Sequence, residues 1–164
     1  MKIGFSTSSH LFSKLIRILT KSKASHAYFR FGIDNEEVVC HANGTGVNFD
    51  YYKTFIKKNS VVKEYELLLT QENEKKVIAY VISQLDKPYD KLAVVGFAWV
   101  LINKAFGRKI KNPIRNKSAY FCSELTLEAL KIVNFKGLDS LDRETTTPED
   151  LMEFMDKSSE ATLL

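Results

Sequence analysis

Residues 25–42, Ser-His-Ala-Tyr-Phe-Arg-Phe-Gly-Ile-Asp-Asn-Glu-Glu-Val-Val-Cys-His-Ala, constrain the fold more than any other stretch. Two strand-like runs, Ser25 to Phe31 and Glu36 to Ala42, flank a turn-rich break at Gly32 to Asn35, the pattern of a β-hairpin. Taking Gly32-Ile33-Asp34-Asn35 as a four-residue loop pairs Phe31 with Glu36. Counting outward then sets Arg30 opposite Glu37, Tyr28 opposite Val39 and His26 opposite His41. A cation meets an anion, and both histidines share one face at a Cβ separation of about 4.5–5.5 Å, close enough for one imidazole to orient the other. The alternate face collects Ala27, Phe29, Val38 and Cys40, an apolar set. A slip of one residue would turn every side chain over, and both faces of the hairpin need cover.

The second informative stretch is Ser118-Ala119-Tyr120-Phe121-Cys122-Ser123-Glu124-Leu125-Thr126-Leu127-Glu128-Ala129-Leu130. Cys122, Leu125, Ala129 and Val133 recur at helical spacing and share one face, while Glu124, Glu128 and Lys131 fall elsewhere. The thiol of Cys122 thus points inward from a helix start, where unpaired backbone N–H groups favour a thiolate and make sulfur a usable nucleophile. A lone cysteine on an apolar helix face is more often a small core residue, so the catalytic reading needs a base from elsewhere in the chain.

Between and around these stretches the chain alternates helices and strands. Ser8 or Ser9 can cap an amphipathic helix from His10 to Thr20, with Lys14, Arg17 and Lys21 off its apolar row and His10 a surface histidine. Gly44 to Phe49 reads as a turn into a short strand, Tyr51 to Ile56 as a short helix, Val61 to Leu69 as a strand, and Gln71 to Leu85 as a helix burying Val77, Ile78, Val81, Ile82 and Leu85. Lys87-Pro88-Tyr89-Asp90 breaks that helix. The apolar run 92–106 is shorter than the roughly 20 residues a membrane span needs and carries Asn103 and Lys104, so a buried helix is expected and no integral span. A basic connector, 107–117, precedes the cysteine helix, and Thr147-Pro148-Glu149-Asp150-Leu151 caps a last helix to about Met155. No internal repeat or linker divides residues 1–164, which fit a single domain.

A net charge of +4 without zinc-finger spacing, an RNA-binding aromatic signature or an Arg-rich arm argues against nucleic acid. Cys40 and Cys122 do not make the dense framework of a small secreted domain. A zinc site from Cys40, His41, Cys122 and His26 has four ligands on paper, but no close cysteine pair is present and Cys40 falls on the opposite face. No apolar run with a cleavage site follows Met1, so the chain is expected to be cytoplasmic at synthesis.

The order along the chain is therefore His26, His41, Cys122, the three groups that nucleophilic acyl transfer requires: a base for the sulfur proton and a partner that fixes the base's tautomer. Ser25-His26-Ala27, Val39-Cys40-His41-Ala42 with Gly46-Val47, Lys87-Pro88-Tyr89-Asp90, Tyr120-Phe121-Cys122-Ser123-Glu124-Leu125 and Thr147-Pro148-Glu149-Asp150-Leu151, taken in that order, resemble the circularly permuted branch of the NlpC-type papain-like cysteine hydrolases. That branch includes YiiX-like proteins and, more distantly, enzymes similar to lecithin retinol acyltransferase. The resemblance implies an α+β permuted papain-like fold, with a central antiparallel sheet packed by helices and the His-bearing strands preceding the Cys-bearing helix. It implies Cys122 as nucleophile, His26 as general base and His41 as the third polar residue, without cofactor or metal. In many relatives an acid stands where His41 stands, whereas the acyltransferase-like members use histidine. Tyr89 and Asp90 match a family word to which the residues themselves assign no chemistry.

The expected activity is a thiol-dependent hydrolase working through an acyl-enzyme, on an amide in a cell-wall-type peptide. Lipid thioester hydrolysis or acyl transfer by the same pair is the alternative, and a binding protein with an idle thiol is a third reading. The partner is thus a peptide or acyl substrate. A virus-encoded or lysis-released protein would meet the difficulty of reaching a wall without a leader.

Overall fold

Asp34 and Asn35 set the register on which the sheet is built. Both take positive φ, 46° and 65°, as the two central residues of a tight hairpin turn require and as Asp and Asn tolerate best after Gly. A computed structural model describes residues 1–85, 87, 103, 121–143 and 145–164. In it the strands β2 (His26–Ile33) and β3 (Glu36–Asn43) run up to a two-residue loop, not the four-residue loop expected. The pairs are Ile33 with Glu36, Gly32 with Glu37, Phe31 with Val38, Arg30 with Val39 and Phe29 with Cys40. Every expected pair is displaced by two positions. An even displacement leaves each side chain on its original face, so the division of the hairpin into two faces survives while His26 and His41 become diagonal neighbours instead of opposed ones.

β1 (Lys2–Thr7) and β4 (Gly46–Tyr51) flank this hairpin, β5 (Ser60–Leu67) lies beyond β1, and β6 (Ala161–Leu163) closes the edge. The order is β4-β3-β2-β1-β5-β6, antiparallel throughout. The remaining elements are α1 (Leu11–Thr20), α2 (Tyr52–Phe55), α3 (Gln71–Ser83), α4 (Cys122–Ile132) and α5 (Pro148–Lys157). The chain is thus α+β, a six-stranded antiparallel sheet packed by helices. Three elements differ from expectation: the sequence pattern announces neither β1 nor β6, and α1 begins at Leu11 with no side-chain cap. The serine that ties down that corner is Ser13, which accepts from the Ser8 N–H at 3.0 Å and meets Ser25 Oγ at 2.6 Å.

The two faces of the sheet are covered unequally. Ile3, Phe5, Ala27, Phe29, Phe31, Cys40, Ala42, Tyr65 and Leu67 join Val77 and Val81 of α3, Leu125, Ala129 and Leu130 of α4, and Leu151 and Met155 of α5 in one core. Burial of these side chains supplies the main drive to fold, at about 25 cal/mol per Å² of apolar surface. Ile82, expected inside, is half exposed. The opposite face carries Gly4, His26, Tyr28, Arg30, Val39 and His41, and the single turn of α2 brings Phe55 and Tyr52 down on it. Arg30 is spent here structurally, paired with Glu64 at 3.0 Å and stacked 4.1 Å from the Tyr52 ring centroid.

The Lys87–Asp90 word, the 92–106 helix, the 107–117 connector and the lead-in 118–120 lie outside the described residues, apart from Lys87 and Asn103. Among the described residues no helix is long and apolar enough to cross a membrane.

Tyr28 makes a particular demand. Its ring lies flat over Gly4, where an added Cβ would come within 2.1 Å of the ring, and it is pinned by a 2.8 Å hydrogen bond from its hydroxyl to Glu64 and by Phe55 at 4.7 Å. Gly4→Ala is expected to lower the unfolding free energy by about 1–3 kcal/mol, as overpacking does. Urea denaturation checks this; an unchanged midpoint would contradict the packing described for this face.

Candidate active site

His26 opens β2 and His41 stands near the end of β3, on the face that α2 covers. Their rings meet edge to face, with His26 Nε2 2.7 Å from His41 Nδ1. The Phe55 ring packs against both, at 6.2 Å and 5.3 Å between centroids. His41 reaches further: its Nε2 lies 3.1 Å from Asp50 Oδ2 and 3.3 Å from Asn43 Nδ2. Sequence reasoning missed Asp50. The signal was present in Val47-Asn48-Phe49-Asp50, whose alternation puts Asn48 and Asp50 on one face; His41 pairs with Asn48, and Asp50 is its diagonal neighbour.

Burial pushes the His26 pKa well below the usual imidazole range, and the neighbouring His41 adds to the effect. Burial also lowers His41, against the opposing pull of the Asp50 carboxylate. Both rings are therefore neutral at pH 7, and a neutral imidazole has one nitrogen free to accept a proton. His26 Nε2 is taken by His41, which leaves Nδ1 as the nitrogen available to a thiol.

Cys122 is the first residue of α4 and is buried. The backbone N–H groups of Ala27, Ser123 and Cys122 itself act on its thiol and favour the thiolate. Ala27 follows His26 directly in β2, so Cys122 lies near the strand that carries the imidazole, but among the described residues no hydrogen bond joins the sulfur to the His26 ring. Leu125, Ala129 and Val133 point inward with the cysteine, as the periodicity required. The electrostatics differ from expectation. The three N–H groups do lower the thiol pKa, but desolvation outweighs them and the net shift is upward. A helix start reached by solvent would behave as anticipated; this one is covered. The first turn also holds Glu124, which is buried because Arg143 pairs with it and the Phe121 N–H donates to it at 3.4 Å.

Two further contacts steady the histidine strand. Glu149, inside the Thr147–Leu151 word, accepts from Ser22 Oγ at 2.6 Å and from the Lys23 N–H at 2.9 Å, which fastens the loop before His26 to the start of α5. Thr147 caps that helix reciprocally with Asp150. A cavity of about 610 Å³ opens beside the imidazoles, lined by Ser25, His26, His41, Asn43 and Asp50 on the sheet side and by His10, Ser13 and Ile16 of the α1 side, with Lys58 at its edge. Cys122 is not among its lining residues.

The other thiol is excluded from this chemistry. Cys40 faces the apolar core, burial pushes its pKa up to about 12, and both cysteines are free. Among the described residues no group of three or more His, Cys, Asp or Glu side chains is placed to hold a metal ion.

With this geometry in view, comparison with known proteins adds one fact. No protein-family profile and no curated protein matches the sequence. The crystal structure of the metalloprotein YiiX from Escherichia coli O157:H7 superposes with a TM-score of 0.66 at 16% identity, covering 99% of this chain and 94% of that one. The two chains share a fold.

The raised thiol pKa gives a direct prediction. A thiol reacts with iodoacetamide as its thiolate, and the thiolate fraction of a group titrating above the usual thiol range still grows as the pH passes about 9. The alkylation rate of Cys122 is expected to climb from pH 6 through pH 9 without levelling, while Cys40 stays unmodified in the folded protein. Peptide mass spectrometry after timed quenching reads both; a plateau reached by pH 6 would show instead a preformed thiolate.

Proposed function

We propose that the protein is a cysteine hydrolase of the permuted papain-like type, with Cys122 as nucleophile, His26 as general base and His41 as the group that orients it. The observation that carries this reading is the 2.7 Å bond between the His26 and His41 imidazoles, with the backbone N–H of Ala27, the residue next to His26, acting on the Cys122 thiol. Two neutral histidines fixed to each other by one nitrogen apiece serve no structural need that an apolar pair would not meet better, since buried polar groups cost free energy unless satisfied.

The pKa directions select the form of the mechanism. A thiol raised by burial and an imidazole lowered by burial rest as a neutral pair, so the proton leaves sulfur as the carbon–sulfur bond forms. His26 Nδ1 takes that proton, sulfur adds to the substrate carbonyl, and the N–H groups at the start of α4 face the developing oxyanion. The imidazolium returns the proton to the departing amine, leaving a thioester on Cys122. Water, deprotonated by the same nitrogen, then releases the acid and restores the thiol.

An amide in a cell-wall-type peptide is the proposed substrate, and the cavity beside the imidazoles gives it room. YiiX itself is described as a metalloprotein. In this chain the two facing ring nitrogens are bonded to each other, and among the described residues no group of three or more His, Cys, Asp or Glu side chains is placed to hold a metal ion.

Incubation with peptidoglycan fragments, set beside acyl thioester and phospholipid substrates, tests the proposal by mass spectrometry of products and of the intact protein. Wild-type protein is expected to release peptide and to show a transient acyl adduct on Cys122. Cys122→Ala is expected to lose about 10³-fold or more in turnover and to carry no adduct. Full activity in that variant would remove the mechanism, and release of fatty acid alone would move the substrate class to lipids.

A further inference from the structure

His41 Nε2 has two claimants that require opposite protonation states. Asp50 Oδ2, 3.1 Å away, is an acceptor when ionised and needs a proton on that nitrogen. Asn43 Nδ2, 3.3 Å away, is a donor and needs a lone pair there. The orientation of the Asn43 amide is settled by its oxygen, which accepts from the Thr45 N–H at 2.9 Å, the Thr45 hydroxyl at 2.6 Å and Asn48 Nδ2 at 3.0 Å. Its NH2 group therefore faces the ring, and one nitrogen cannot satisfy both neighbours.

The choice propagates along the pair. With the proton on His41 Nε2, Nδ1 holds a lone pair and must accept, so His26 donates from Nε2 and keeps an unprotonated Nδ1. With the lone pair on His41 Nε2, Nδ1–H donates to His26 Nε2, and the His26 proton is forced onto Nδ1. The first arrangement leaves a base for the thiol; the second presents a donor to a donor.

We propose that Asp50 is a positioning residue that acts through His41 to hold His26 in the tautomer with a free Nδ1, against the opposite preference imposed by Asn43. This rests on the reading of His26 as the base for Cys122. Asp50 prevails because a hydrogen bond to an ionised group is roughly twice as strong as a neutral one, and here it is also the shorter. The Asp50 side chain is 43% exposed and still reaches His41. Loss of the carboxylate does more than loosen His41, since it hands the ring to Asn43 and reverses both tautomers.

Full-length protein labelled with ¹⁵N-histidine reports each ring nitrogen as protonated or not. In the wild type, Nδ1 of both His26 and His41 is expected to be unprotonated; a proton on His26 Nδ1 at pH 7 overturns the proposal without need of any variant. In Asp50→Ala both rings are expected to exchange tautomer, and kcat against the substrate found above to fall about 10²-fold or more with KM little changed. Asn43→Asp in that background puts a carboxylate oxygen where the amide nitrogen stood, and is expected to restore both tautomers and most of kcat. A purely structural Asp50 would give no such rescue, and unchanged ring signals in Asp50→Ala would overturn the proposal. Tautomer exchange with no change in turnover would uphold the coupling from Asp50 to His26 and sink the thiol mechanism instead, so the two failures read differently.

Discussion

The hydrogen bond between His26 and His41 depends on nearly every other feature of this domain, and the proposed chemistry depends on it. Two imidazoles 2.7 Å apart must share a single proton between the facing nitrogens. If both were charged, like charges would lie in contact in a buried site, a cost of several kcal/mol that the fold could not bear. Burial therefore does two jobs, holding both rings neutral and making their mutual bond strong. Phe55 supplies the cover from a helix only one turn long, and Tyr28, lying on Gly4, supplies the floor beside it.

The same burial raises the thiol. Sequence logic favours a thiolate at a helix start, because amide dipoles stabilise negative charge; the structure sets that against desolvation, and desolvation wins. In the mechanism proposed above, the sulfur therefore stays a thiol until a carbonyl is in place. Under the proposed mechanism such a site reacts slowly with small electrophiles until substrate is bound; the cavity of about 610 Å³ opens beside the imidazoles and does not include Cys122 in its lining.

How much of this was legible in the sequence follows from what local pattern can and cannot encode. Alternation assigned Ala27, Phe29, Val38 and Cys40 to one face and the two histidines to the other, and the assignment holds because parity is a property of the strand itself. The pairing did not hold, because it is a property of the turn: Asp34 and Asn35 both enter the left-handed region, and Gly32 and Ile33 remain in the strand. Asp50 was missed because its relation to His41 crosses between strands, although the Asn48–Asp50 alternation carried it. Glu124 falls off the apolar row of its helix and is buried all the same, because its partner, Arg143, lies in an irregular segment that no periodicity announces. β6 is three residues long and exists only because β5 offers it an edge. The short words that suggested a family marked places where distant parts of the chain fasten the site: Glu149 holds the loop before His26, and the Ala27 N–H acts on the Cys122 thiol.

The proposed chemistry requires sulfur 122 to approach the one nitrogen of His26 that His41 leaves unclaimed. A crystal structure of the protein in its thiol form, refined well enough to place Sγ and the imidazole plane, measures that approach. Cys122 Sγ is expected within about 4 Å of His26 Nδ1, with the Ala27 N–H alongside, allowing for the looseness of a site without substrate. A sulfur turned into the apolar core between α4 and the sheet, with the His26 ring beyond reach of any rotamer, would contradict the mechanism.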